Sequence, residues 1–320
     1  MKFVPLILDA PVKDYIWGGT RLKDELGYGV DLDKVAEAWV LSARKNDDCK
    51  VLYGEYCGRT LSEMIELWGK ECLGKRCDSF ENFPLLVKLI DAKDKLSVQV
   101  HPCDDYALQV EGEYGKTEMW YVIDCEEGAT LVYGFNREVS KEEFKERIEN
   151  NTLDEVLNYV PVKKGDAFFI EAGTIHAIGA GIFIAEVQQN SNTTYRVSDY
   201  GRLGADGKPR ELHIDKALDV TNTVPVISTK EYNEYKVGGA TVKKIASCDK
   251  FTASVFSIEG KVFVGNKDTF VHLLVLQGHI IAVCEDGTEY SMYAGESLFV
   301  PAGAKIQVLG IGGKVLISHL

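Results

Sequence analysis

The sequence predicts a mainly β protein built as two small barrels, with a small helical insert. Three observations predict it. Short runs rich in Val, Ile, Phe and Tyr, such as KLSVQVHP, EMWYVIDC, GIFIAEVQQ and VHLLVLQGHIIAV, are punctuated by Gly, Asp and Asn. Such runs are the pattern of many short strands in a barrel or sandwich. One local pattern occurs twice, as GDAFFIEAGTIH at 165–176 and GESLFVPAGAKI at 295–306. The 320 residues suit one large or two moderate domains.

Taken in order, the N-terminal MKFVPLILDAPVKDY carries a six-residue apolar run interrupted by Pro5. That is too short for a signal-peptide core or a membrane span. Helices are expected at three places, each opened by a Thr/Ser-x-x-Glu start signal. They are Thr60 to Glu63 before MIELWGKEC, Ser140 to Glu143 before FKERIE, and Thr152 to Glu155 before VLNYV. The last two are read as a charged helical insert at roughly 138–160. Strand-rich stretches flank it on both sides. The segment GAGIFI (179–184) lacks the third glycine and following helix of a dinucleotide loop.

The two copies lie 130 residues apart, a spacing that suits two copies of one small barrel. Gly165 matches Gly295, Asp166 matches Glu296, Phe169 matches Phe299 and Gly173 matches Gly303, but His176 is matched by Ile306. The first copy reads G-x5-[E/P]-x-G-x2-H, which resembles the second half of a cupin barrel; the second keeps the turns and drops the histidine. The expected fold is therefore two cupin-type (jelly-roll) β-barrels. Residues 1–235 are the expected catalytic, metal-binding barrel with its helical insert, and 236–320 a barrel lacking metal ligands.

Composition narrows the function. A hydrophobic fraction of 45% is ordinary for a globular protein, and the net charge of −13 argues against nucleic acid or an anionic membrane as partner. An anionic substrate needs a locally basic pocket. The eight cysteines contain no CxxC pair. With no export signal, reduced thiols and a cytoplasmic location are expected.

Gln99 and His101 stand two apart in SVQVHP, so an extended strand turns both to one face. Glu118 opens the apolar run MWYVID, and His176 ends the first repeat copy. Two imidazoles, a carboxylate and an amide oxygen could ligate one divalent ion and leave positions for substrate. The set suits zinc or ferrous iron, and spacing alone does not separate them. Cys103 is a rival ligand, or a small buried filler.

IWGGTRL, AEAWVLS, PLLVKLIDAKDKLSVQVHP, GKTEMWYVID and GTIHAIGAGIFIAEVQQNSNTTYRVSDYGR together resemble type I mannose-6-phosphate isomerases in their compact form, over almost the full length. The resemblance implies an aldose–ketose isomerase interconverting mannose 6-phosphate and fructose 6-phosphate, with one Zn2+ per chain. Its partner is then a small-molecule sugar phosphate, with no nucleic acid or membrane, in a monomer or weak homodimer. It puts the zinc ligands on His101, Glu118 and His176, with Gln99 as the amide ligand. It puts the active-site arginine on Arg196, pocket lysines on Lys88 and Lys116, and a strand carboxylate on Glu186. Asn192 stands where similar proteins generally have Asp.

The residues fit that chemistry. A carboxylate in FIAEV is costly unless paired or used, so a buried salt bridge and a proton-transfer role both fit Glu186. Arg196 alternates with Thr194 and Ser198 and could grip a phosphate or an enediolate. Lys93, Lys95 and Arg202 read as solvated. Two other readings remain: another metal-dependent cupin enzyme, such as an iron oxygenase, and a non-catalytic sugar-binding cupin.

Overall fold

In the computed structural model, residues 3–204, 207–227 and 232–320 are described, and antiparallel β-sheet dominates them. The chain divides into two compact units. One comprises Met1–Val12, Ala38–Leu89 and Glu231–Leu320; the other comprises Lys13–Glu37 and Ile90–Lys230. A single cut near 235 does not describe this division. The reason is strand pairing: Leu6–Asp9 pairs antiparallel with Ser297–Val300 on one side and Lys50–Val51 on the other. Its Leu6, Ile7 and Leu8 are all buried, so the first strand belongs with the last ones.

In that first unit a ten-stranded sheet runs through Thr252–Val264, Ile306–His319 and Val271–Gln277. Its core is aliphatic: Ile258, Val271, Leu273, Val275, Ile306 and Ile317 pack together. The expected helix follows Thr60 and spans Leu61–Trp68. The Thr60 hydroxyl accepts from the Glu63 N–H, and the Glu63 carboxylate accepts from the Thr60 N–H, so two otherwise orphaned donors are satisfied.

The other unit holds a five-stranded sheet ordered Leu157–Pro161, Thr130–Phe135, His176–Ala177, Val98–Val100, Tyr195–Ser198. It also holds the pairing of Glu118–Cys125 with Ala167–Ile170 and Ile182–Gln189. The helix after Ser140 spans Lys141–Glu149 and buries Phe144 and Ile148 against Val132, Phe135 and Val197. The third expected helix is absent. Leu153–Glu155 is a single 3-10 turn, and Leu157–Pro161 is a strand on Thr130–Phe135. A start signal is local; here Val and Tyr fit a pleated sheet edge better than a helix surface, and the pairing decides.

The repeat is real at the level of hydrogen bonds. Gly165, Gly173, Gly295 and Gly303 have φ of +89°, +89°, +93° and +84°, a region that a side chain disfavours. Asp166 accepts from the Lys163 N–H at 3.1 Å, and Glu296 accepts from the Tyr293 N–H at 2.6 Å. No disulfide joins the eight cysteines. Among the described residues, no helix is long and apolar enough to cross a membrane.

A buried donor cluster as candidate metal centre

Three strands and a turn of the second unit bring the candidate donors together. Val98–Val100 delivers His101 just beyond its end, Glu118 opens Glu118–Cys125, and His176 opens His176–Ala177. His176 is in register with Gln99, so those two side chains are cross-strand neighbours. Ligand atoms of His101, Glu118 and His176 all lie within 4.8 Å of one another, a group that could hold a metal ion. All three residues are buried, with exposures of 1%, 0% and 0%.

Backbone carbonyls orient both imidazoles. His101 Nδ1–H donates to Thr193 O at 2.9 Å, and His176 Nδ1–H donates to Thr174 O at 2.8 Å. A carbonyl only accepts, so each Nε2 is left as a lone-pair donor facing inward. His101 Nε2 then sits 2.6 Å from Glu118 Oε1. Two acceptors approach so closely only when a proton or another cation is shared between them. The Lys116 ammonium supplies one here, 2.5 Å from Glu118 Oε1 and 3.0 Å from His101 Nε2. The donor set therefore fits a divalent cation: two imidazole nitrogens and one carboxylate oxygen converge where a positive charge is already accommodated.

Electrostatics agree. Burial pushes His101 well below the ordinary imidazole range, and the charges of Lys116 and His176 add to the effect. Burial likewise lowers His176, opposed by Glu118. Burial alone would raise Glu118, but Lys116 and His176 hold its carboxyl below the usual carboxylate range. Neutral imidazoles beside an ionised carboxylate are the protonation states a metal requires.

The segment carrying Lys116 is held rigidly. Asp104 accepts from the Gly115 N–H and from the Gln189 amide, and Gln189 Oε1 accepts from the Thr117 N–H. A side chain at Gly115 would place its Cβ 2.5 Å from backbone atoms of Cys103 and Asp104, so only glycine fits this approach.

The other expected residues fall as follows. Gln99 is half-buried, with its Nε2 3.4 Å from His176 Nε2, beside the cluster. Glu186 is buried, and its Oε2 accepts from the Trp120 indole at 2.8 Å. Arg196 is half-buried opposite Gln99 in register and donates to Glu211 O at 2.9 Å. Burial, then Arg210 and Arg202, lower its pKa. Lys88 lies in the first unit, buried over the Trp39 ring. Cys103 is exposed at the start of the helix Asp104–Val110 and is not in the donor group. Asn192 is exposed, its N–H held by Glu113.

Arg202 is not simply solvated. It and Arg210 both donate to the buried Asp199, on the wall of a cavity of about 510 Å³. The Asp199–Arg202 spacing of three residues was the available signal. Nothing in the sequence marks Trp120, yet its indole N–H meets the outer oxygens of both Glu118 and Glu186.

Fold and site together define a cupin-like β protein with a buried His–Glu–His cluster able to take a metal ion. A family described as phosphomannose isomerase type I, catalytic domain, matches residues 6–128. The mannose-6-phosphate isomerase ManA of Bacillus subtilis is 36% identical over 321 residues, covering 100% of both chains. The mannose-6-phosphate isomerase of Streptococcus mutans is 39% identical, covering 98% of each chain. The chain belongs to the type I mannose-6-phosphate isomerase family. The crystal structure of the mannose 6-phosphate isomerase from Bacillus subtilis superposes with a TM-score of 0.92 at 33% identity, covering 99% of each chain. A putative mannosephosphate isomerase from Archaeoglobus fulgidus shares the fold, with a TM-score of 0.77 at 23% identity and coverage of 98% and 96%.

Proposed function

We propose that this chain interconverts mannose 6-phosphate and fructose 6-phosphate, using one divalent ion, zinc, held by His101, Glu118 and His176, with Gln99 alongside. The observation that carries the reading is the convergence of those three buried donors within 4.8 Å. The family's named members supply the substrate. When bound, the ion would polarise the sugar carbonyl and the neighbouring hydroxyl as a redox-silent Lewis acid.

The chain's own residues do the rest. Moving a proton between C1 and C2 creates an enediolate, which needs a base and a positive field. Lys116 supplies the field: its buried ammonium is neutralised at rest by Glu118 Oε1 at 2.5 Å, and beside the site it also offers a positive charge to the enediolate. Arg196 lies two strands from His176 in the same sheet, with a fork suited to an anionic oxygen. Glu186 sits on the strand Ile182–Gln189 among apolar neighbours, linked to Glu118 through the Trp120 indole. We assign this buried carboxylate the task of carrying the proton.

Removing the metal with a chelator should abolish turnover of mannose 6-phosphate in a coupled assay, and zinc should restore it. Full turnover in a metal-free sample ends the reading.

A further inference from the structure

The two oxygens of Glu118 have different surroundings. Oε1 faces Lys116 at 2.5 Å, His101 at 2.6 Å and His176 at 3.9 Å. Oε2 points away and accepts from Trp120 Nε1 at 3.0 Å. The same indole N–H donates to Glu186 Oε2 at 2.8 Å. Trp120 is 1% exposed, and its ring meets the His176 ring edge-on, with centroids 5.3 Å apart at 77°. Glu186 is in register with Trp120 on the neighbouring strand, so sheet pairing itself sets the bridge.

An indole has one donor and no acceptor. Splitting that donor between two carboxyl groups ties Glu118 to Glu186 and keeps Oε2 occupied. We propose that Trp120 is a positioning residue whose shared N–H fixes Glu118 as a one-oxygen metal ligand and holds Glu186 at the edge of the site. The proposal rests on the metal-site reading above. Without that hydrogen bond Oε2 loses its indole donor, and the carboxylate, still held at Oε1 by Lys116, can tilt to bring both oxygens to the ion. A metal's outer hydrogen-bond partners set ligand orientation in this way, and losing one costs about 10- to 100-fold in affinity.

The test uses the full chain loaded with cobalt, whose visible absorption weakens as coordination number rises. Two variants separate donor from bulk. Trp120→Phe removes the N–H and part of the ring. Replacement of Trp120 by 3-benzothienylalanine exchanges only the N–H for sulfur and keeps the shape. Chelator competition gives metal affinity, and a thermal melt of the metal-free protein reports packing.

The expected result is that both variants lose about 10-fold or more in affinity and show weaker cobalt absorption. The benzothienyl protein should keep the wild-type melt. An unchanged spectrum with affinity within about 2-fold in the benzothienyl protein overturns the proposal, whatever Trp120→Phe does, because the loss would then belong to packing. Wild-type protein that binds cobalt but, reloaded with zinc, does not turn over mannose 6-phosphate ends the isomerase reading. In that case the spectra still decide the role of Trp120.

Discussion

The two copies of the barrel hairpin can be compared residue by residue, because the same backbone hydrogen bonds index both. Gly173 N–H donates to His101 O and Gly303 N–H donates to Asn266 O, each at 2.8 Å, which makes Asn266 the counterpart of His101. Glu118 pairs with Ile170, and Val271 pairs with Val300, the residue matching Ile170 in the repeat; Val271 is thus the counterpart of Glu118. By the same registers Val264 answers Gln99, Leu273 answers Trp120 and Ile317 answers Glu186. Ile306 answers His176. Five of these six replacements are aliphatic, and all five pack in one core cluster.

The difference teaches how separable scaffold and chemistry are. The turns, the positive-φ glycines and the acidic side chains that close them persist in both copies. What changes is the inward-facing set. In one copy it is a polar network, with each imidazole anchored to a carbonyl and each carboxyl group to an indole. In the other, Asn266 apart, it is hydrocarbon. A half-converted interior would be worse than either, because a partly satisfied buried network leaves costly groups unpaired.

His176→Ile, which copies the second barrel into the first, should therefore have the largest effect. Turnover should fall by about three orders of magnitude, with loss of metal uptake, as several kcal/mol of charge stabilisation disappear. A His176→Ile protein that still takes up zinc with wild-type affinity breaks the equivalence. The reverse change, Ile306→His, should create no metal site, since Val264, Val271 and Ile317 offer no donor. It should instead destabilise the protein by about 2–3 kcal/mol in denaturant unfolding, the cost of a buried polar group without a partner. Metal bound by that variant would show the second barrel to be nearer a site than its register implies.

The smallest effect sharpens the comparison at His272, next to the Glu118 counterpart. It is fully buried, and burial pushes it down to about 3 from an ordinary 6.5. Folded, it stays neutral; unfolded, it takes a proton below pH 6.5. The unfolded state thus binds more protons, and stability falls as pH drops from 6.5 toward 3, by about 1.4 kcal/mol per unit at most. His272→Leu should narrow the stability gap between pH 7 and pH 5 by about 2 kcal/mol in urea midpoints of metal-free protein. An unchanged gap would mean His272 does not set that slope.

Much of this was legible in the letters, for identifiable reasons. The repeat was visible because turn glycines and inward apolar residues recur together at fixed spacing, and His176 stood out against its missing counterpart. The capped helix after Thr60 was legible because its start signal and its buried Leu61, Met64 and Trp68 act locally. The signal at Thr152 misled because strand pairing with Thr130–Phe135 outweighed it. Cys103 was a credible ligand by proximity to His101, yet the chain turns into a helix there and leaves the thiol outside.

By itself the sequence determined the strand-rich class, the duplicated hairpin and three candidate donors that the structure brings together, because each is written in short-range periodicity or in residue chemistry. Tertiary structure alone decided that the first strand closes on the last, that Arg202 and Arg210 share Asp199, and that one indole spans two carboxyl groups. Each of those depends on register between segments far apart in the chain. Register is set by which side chains bury together once the sheets have formed.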